Sequence, residues 1–263
     1  MTILDAIEDK HLFEPWFSRG TWENWRIFLS ALFGLPLTSS QLAIFRECTG
    51  RSTPQTVAAT EGWLICGRRS GKSFMLALVS VFLACFFDWQ KYLAPGERGT
   101  IIIIAVNTRQ ARTIFRYVGA LLKGVPMLAR MIERETADSF DLNNSISVEV
   151  HTASFRSTRG YAVLAALLDE IAYFPTDDAA EPDREIINAL KPGMAQFPNA
   201  MLLCASSPYA KRGSLFDAWR KHYGKDGDPI LVWQAATRTM NPTIVGKSPE
   251  LRQEFLHLPS APA

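Results

Sequence analysis

Residues Gly62 to Ser73, GWLICGRRSGKS, constrain the fold more than any other stretch of the chain: an apolar run breaks into a basic, glycine-containing loop ending in Gly71-Lys72-Ser73. The apolar part reads as a strand, and the loop after it as the opening of a helix. Backbone N–H groups in such a loop, with the positive end of the helix, make a concave site for phosphate oxygens. The lysine is then spaced to reach β/γ-phosphates and the hydroxyl to hold Mg²⁺. The match to G-x-x-x-x-G-K-[ST] has one departure, Cys66 at the first glycine position. Alone, a loop of this kind is a weak signal, and the elements around it decide whether it belongs to a nucleotide-binding fold.

Those elements alternate as an α/β fold requires. Lys72 to about Phe87 is apolar on nearly every face, so a buried helix is expected there. Thr100 to Val106 (TIIIIAV) has the continuous β-branched character of a parallel strand covered on both faces. Asn107 to Leu122 reads as a helix capped by Asn107 or Thr108, with Arg109, Arg112 and Arg116 sharing a solvated face. A less regular section runs to Asn144, followed by a short strand from Ile146 to His151, the loop SFRSTRGY, and a buried strand from Val163 to Leu168.

That strand runs into Asp169-Glu170. An apolar strand ending in Asp-Glu suits the hydrolytic half of a P-loop ATPase, the aspartate supporting Mg²⁺ and the next carboxylate orienting the attacking water. A helix-capping acidic pair is the plainer reading, but it leaves the preceding loop unexplained. Met201 to Ala205 is a further buried strand, and it ends in Ser206-Ser207-Pro208. Hydroxyls at the carboxyl end of a parallel strand lie beside the ligand crevice, where they can sense a γ-phosphate; the competing reading is a plain turn before the Gly213 to Tyr223 helix. Ile230 to Ala235 is a last strand. The fold class is therefore an α/β P-loop NTPase of the ASCE/RecA-like type, a mainly parallel central sheet with helices on both faces.

An aromatic-rich N-terminal arm, residues 1–35, precedes this unit. Phe13, Trp16, Phe17, Trp22, Trp25, Phe28 and Phe33 fall near helical spacing, and the expectation is a lid or clamp packed on the main domain rather than a partner-binding segment. A helix start follows at Pro36 to Gln41, and Gly50-Arg51 stops that helix. Residues 36–245 form the expected ATPase domain, and 246–263 a linker or domain boundary. With 28 lysines and arginines against 26 acidic residues, any nucleic-acid contact must rest on local patches. The four cysteines show no metal spacing and read as reduced thiols of a cytosolic protein. The longest apolar stretch, Phe74 to Phe87, is too short to span a bilayer, so no membrane association is expected.

Taken together, GRRSGKS, LLDEIAYF and CASSPY, preceded by LTSSQLAIFRECTGR, resemble the ATPase domain of the large terminase subunit, the DNA-packaging motor of tailed bacteriophages. The resemblance implies ATP and Mg²⁺ as cofactors and a role for each matching residue. Gln41 would read adenine, and Arg68 would act in cis on the γ-phosphate, with Arg69 beside it. Ser70, Gly71 and Lys72 would hold phosphates, Ser73 and Asp169 would hold Mg²⁺, and Glu170 would be the catalytic glutamate. Ser206 and Ser207 fall on the coupling motif that links hydrolysis to DNA movement. The family's motor also takes an arginine from a neighbouring subunit; the candidates are Arg130, Arg134, Arg156 and Arg159. Implied partners are double-stranded DNA gripped through its backbone, the portal protein, the small terminase subunit and further copies of this chain in a ring, in the cytoplasm of a bacterial host. Family members add an RNase H-like nuclease domain, for which the residues up to Ala263 leave no room, so nuclease activity is not expected. Two alternatives remain: another RecA-like translocase or helicase, and a nucleotide-binding docking module that does not hydrolyse.

Overall fold

A computed structural model describes residues 1–153, 160–175 and 181–244. The loop arginines Arg156 and Arg159 and the boundary segment 246–263 lie outside the described residues. In chain order the first elements are α1 (Ile3–Glu8), α2 (Glu14–Phe17), α3 (Glu23–Phe33), α4 (Ser39–Thr49), β1 (Glu61–Cys66) and α5 (Lys72–Phe86). Next come β2 (Gly99–Ala105), α6 (Thr108–Gly124), α7 (Pro126–Ala129), β3 (Ile132–Glu135), β4 (Ser139–Leu142) and β5 (Ile146–Thr152). The chain continues through β6 (Ala162–Asp169), α8 (Pro182–Met194), β7 (Met201–Ser206), α9 (Gly213–His222), β8 (Ile230–Ala235) and α10 (Thr237–Met240). These elements form two compact units, one of Met1–Lys72 with the chain from Cys204 onward, the other of Ser73–Leu203.

In the Ser73–Leu203 unit the strands are hydrogen-bonded in the order β3-β4-β5-β2-β6. Strand β2 runs parallel to both β5 and β6, while β3, β4 and β5 alternate in direction. Every residue of β2 and β6 is buried. Successive side chains leave a strand on opposite faces, so both faces of these two strands are covered, as their unbroken apolar sequences require. Helix α6 packs on β2 and β5, and α8 on β6. The Asn107 side chain caps α6 by accepting from Gln110 N at 3.0 Å, and Arg109, Arg112 and Arg116 line its exposed face.

The sequence reading leaves the section up to Asn144 without elements, whereas the structure places α7 and the β3–β4 hairpin there. Strand β3 is IERE, exposed over its last three residues, and β4 is SFDL. Four-residue edge strands carry too little apolar alternation to announce themselves. The same reading assigns nothing between the Asp-Glu pair and Met201, where α8 forms with Pro182 at its first turn and buries Ile186, Ile187 and Leu190.

In the other unit β1 and β8 run parallel in a register from Glu61 opposite Ile230 to Cys66 opposite Ala235. Helices α3 and α4 pack on β8, and α9 packs on both β8 and β1. A capping box made by Thr38 and Gln41 opens α4, and Gly50 closes it at φ 67°. The arm is part of this unit's core: Trp25 and Phe28 meet edge to face at 5.7 Å, and Phe28 meets Trp233 of β8 at 5.6 Å. Burying an aromatic ring of this size stabilises a fold by about 1.5–3 kcal/mol, so three in contact hold the arm to β8.

Candidate nucleotide site

Strand β1 delivers the phosphate loop. Cys66 is its last residue, fully buried, paired with Ala235 and without the positive φ that would call for glycine. A side chain is therefore accommodated at the position where the loop pattern has its first glycine. Beyond it the backbone turns through positive φ at Arg69 (62°) and Gly71 (106°). Glycine is required at Gly67, where an added Cβ would lie 2.1 Å from Thr237 Oγ1.

Five consecutive carbonyls of the loop accept a hydrogen bond from a side chain. Lys72 Nζ donates to Cys66 O at 3.0 Å and to Gly67 O at 3.2 Å. Thr237 Oγ1 donates to Arg68 O at 3.0 Å, Asn241 Nδ2 to Arg69 O at 2.9 Å, and Trp25 Nε1 to Ser70 O at 3.0 Å. In a trans peptide the C=O and the following N–H point in opposite directions. Carbonyls drawn toward Thr237, Asn241 and Trp25 therefore turn the N–H groups of Arg69, Ser70 and Gly71 the other way, as an anion nest needs. Lys72 is only 4% exposed, while the Arg68 and Arg69 side chains reach solvent.

In the Ser73–Leu203 unit, Ser73 Oγ donates to Asp169 Oδ2 at 2.7 Å. Asp169 ends β6, is 0% exposed and pairs with Ala105 of β2. Glu170, the next residue, stands in the left-handed region at φ 54°, ψ 42°, and leads into a single 3₁₀ turn, Ile171–Tyr173. A non-glycine residue in that region carries about 1–2 kcal/mol of strain, and such residues gather at functional sites. The alcohol and carboxylate oxygens of Ser73 and Asp169 are hard donors that suit Mg²⁺, an ion that keeps waters and substrate phosphates as its remaining ligands. Among the described residues no group of three or more His, Cys, Asp or Glu is placed to hold a metal ion.

The other residues singled out by the sequence fall as follows. Ser206 and Ser207 are both 0% exposed at the end of β7, and Ser206 Oγ donates to Ser207 O at 2.9 Å. Gln41 Oε1 accepts from Thr38 N at 3.0 Å, at the start of α4. Arg130 and Arg134 are exposed, at the end of α7 and on β3. Strand β3 is four strand spacings from β6 in the sheet order, about 19 Å, so Arg134 is out of reach of Asp169 in its own chain. Sequence reasoning missed Trp25, Thr237 and Asn241 as supports of the loop. They lie 45, 169 and 172 positions from the carbonyls they hold, and no local motif spans such a separation.

A family model described as "Uncharacterized protein MJ0330, N-terminal P-loop domain" matches residues 24–256. No curated protein matches the sequence. Among solved structures the chain is similar to the large terminase ATPase domain of Thermus phage P74-26, with TM-score 0.55, 18% identity, and 87% of this chain and 96% of that one covered. A mutant form of that domain gives TM-score 0.54 at 17% identity, with 81% and 86% covered. The large terminase of bacteriophage HK97 gives TM-score 0.55 at 16% identity, covering 83% of this chain and 47% of that one. At these identities the likeness is one of fold. It agrees with the mainly parallel P-loop architecture read from the sequence.

Proposed function

We propose, from the premise that this chain belongs to the family of the uncharacterized protein MJ0330 N-terminal P-loop domain, that it is an ATP-hydrolysing motor domain driving double-stranded viral DNA into a preformed capsid. The observation that carries the hydrolytic part is the 2.7 Å contact between Ser73 Oγ and Asp169 Oδ2. It joins the start of the helix after the phosphate loop to the strand end that bears Glu170.

In this reading Lys72 Nζ exchanges its bonds to Cys66 O and Gly67 O for oxygens of the β- and γ-phosphates. The N–H groups of Arg69, Ser70 and Gly71 take further phosphate oxygens. The Glu170 carboxylate orients the attacking water and accepts its proton as the oxygen adds to the γ-phosphorus in line with the departing ADP oxygen. The Arg68 guanidinium, exposed on the loop, stabilises the charge that develops on the γ-phosphoryl group. Ser73 and Asp169 would hold Mg²⁺, which when bound would supply charge neutralisation at the phosphates. In the same reading the Ser206-Ser207 pair, buried at the end of β7, would pass phosphate loss on to that strand. The packaging assembly would add double-stranded DNA, a portal, a small terminase subunit and neighbouring copies that lend an arginine, in the cytoplasm of a bacterial host.

The test is ATP turnover in the presence of portal and DNA, measured for the wild type, Lys72→Ala and Glu170→Gln. Loss of turnover in both variants supports the assignment, and wild-type rates in both overturn it. ATP that binds but is never hydrolysed under any assembly condition selects the docking module instead.

A further inference from the structure

Within the unit that carries the phosphate loop lies an open cleft of about 390 Å³ that the reading above does not use. Trp16, Arg19 and Trp22 of the arm form one side, Gly71 of the loop another, and Asn241 and Thr243 after α10 a third. Small-molecule pockets begin at roughly 300 Å³, so a heterocyclic base with its ribose fits in size. Both indoles line the cleft and are only half-buried. Aromatic faces stack any nucleobase, because every base has a π-face. The opposite wall is fixed in place: Asn241 Nδ2 is committed to Arg69 O at 2.9 Å, and Asn241 Oδ1 accepts from Thr243 N at 3.2 Å and Thr243 Oγ1 at 2.6 Å. Gly71 allows the close approach to Trp22, whose ring would lie 3.3 Å from an added Cβ.

We propose that this cleft takes the base of the nucleoside triphosphate, stacked against the Trp16 and Trp22 side with the Arg19 guanidinium at its edge. The proposal rests on the phosphate-loop reading, because Gly71 lines the cleft and its chain neighbour Lys72 is the phosphate ligand. It moves base recognition away from Gln41, which is not among the residues lining the cleft and whose Oε1 is engaged by Thr38 N. The arm then has a second role beyond packing: Trp25 holds the loop at Ser70 O, while Trp16, Arg19 and Trp22 receive the base.

Calorimetric titration of the full chain with ATP and with inorganic triphosphate separates the base from the phosphates. Trp16→Ala is expected to weaken ATP binding roughly 5- to 100-fold and to leave triphosphate binding unchanged. Arg19→Ala, at an exposed position where folding is not at stake, shifts ATP in the same direction by less. Gln41→Ala leaves the ratio of the two affinities as it is in the wild type. The proposal is overturned if neither Trp16→Ala nor Arg19→Ala narrows the gap between the two ligands, or if the wild type binds both equally. If Lys72→Ala abolishes binding of both ligands while the cleft variants change neither, the phosphate-loop reading stands and the cleft assignment falls. A wild type that binds neither ligand overturns both.

Discussion

The phosphate loop and the carboxyl end of β6 are held in place by different means. The loop's geometry comes from far along the chain, through Trp25 Nε1 on Ser70 O, Thr237 Oγ1 on Arg68 O and Asn241 Nδ2 on Arg69 O. The β6 end is set by strand pairing, Asp169 opposite Ala105, and by the bond from Ser73. In the proposed reading, substrate binding is thus delegated to tertiary structure, and the chemical step to two consecutive residues at a strand end. Changes at the β6 end should appear in turnover, and changes at the loop supports in affinity and stability. Glu170→Gln tests the first half with the largest expected effect: turnover falls by about 10²- to 10⁴-fold, while ATP affinity stays at the wild-type value. Stopped-flow turnover beside equilibrium ATP titration checks it, and a loss of affinity equal to the loss of turnover would dissolve the distinction.

Lys72 sharpens the comparison because it serves the loop in both states, bonded to Cys66 O and Gly67 O here and to phosphates in the proposed complex. A hydrogen bond to a charged group contributes about 1.5–3 kcal/mol, so Lys72→Ala should weaken ATP roughly 10- to 150-fold. It should also destabilise the fold, since it removes a charged donor from two buried carbonyls. The loop supports come next. Asn241→Ala and Thr237→Val each remove one donor from a loop carbonyl, and each should lower unfolding free energy by about 1–3 kcal/mol and weaken ATP without lowering turnover at saturation. Chemical denaturation paired with ATP saturation curves reads both quantities.

The same division explains what the sequence could show. β1, α5, β2, β6 and the Asp-Glu pair stand close to where their apolar runs and caps place them, because a strand buried on both faces writes its burial into every residue. The β3–β4 hairpin was not legible, since four-residue edge strands with exposed charges lack a pattern. The Ser73–Asp169 contact joins two motifs that were each visible, so the meeting of these two residues could be anticipated from sequence. The supports of the loop could not. Thr237 opens and Asn241 closes a single helical turn at a stretch with no motif, and Trp25 reads only as one more residue of an aromatic stripe. What fixes their role is one donor atom each, a property that periodicity does not encode. Cys66 shows the converse: as a departure from the motif it looks consequential, yet it ends a strand in ordinary backbone geometry opposite Ala235.

Trp25→Phe gives the smallest effect and the finest test of the comparison. The ring contributes to the core through its edge-to-face contact with Phe28 at 5.7 Å, and the indole N–H contributes to the loop through Ser70 O. Phenylalanine keeps an aromatic ring and deletes the donor. If the arm is only core, the variant should lose little stability and leave ATP binding untouched. If the arm also shapes the loop, stability falls by about 0.5–1.5 kcal/mol, ATP affinity falls with it, and turnover at saturating ATP is unchanged, because Glu170 and Asp169 are held by other contacts. Trp25→Ala provides the scale, since losing the ring as well should lower stability by about 3–5 kcal/mol. An ATP affinity in Trp25→Phe equal to the wild type, at a stability measurably lower, would return the arm to a packing role and leave the loop braced from the α10 side alone.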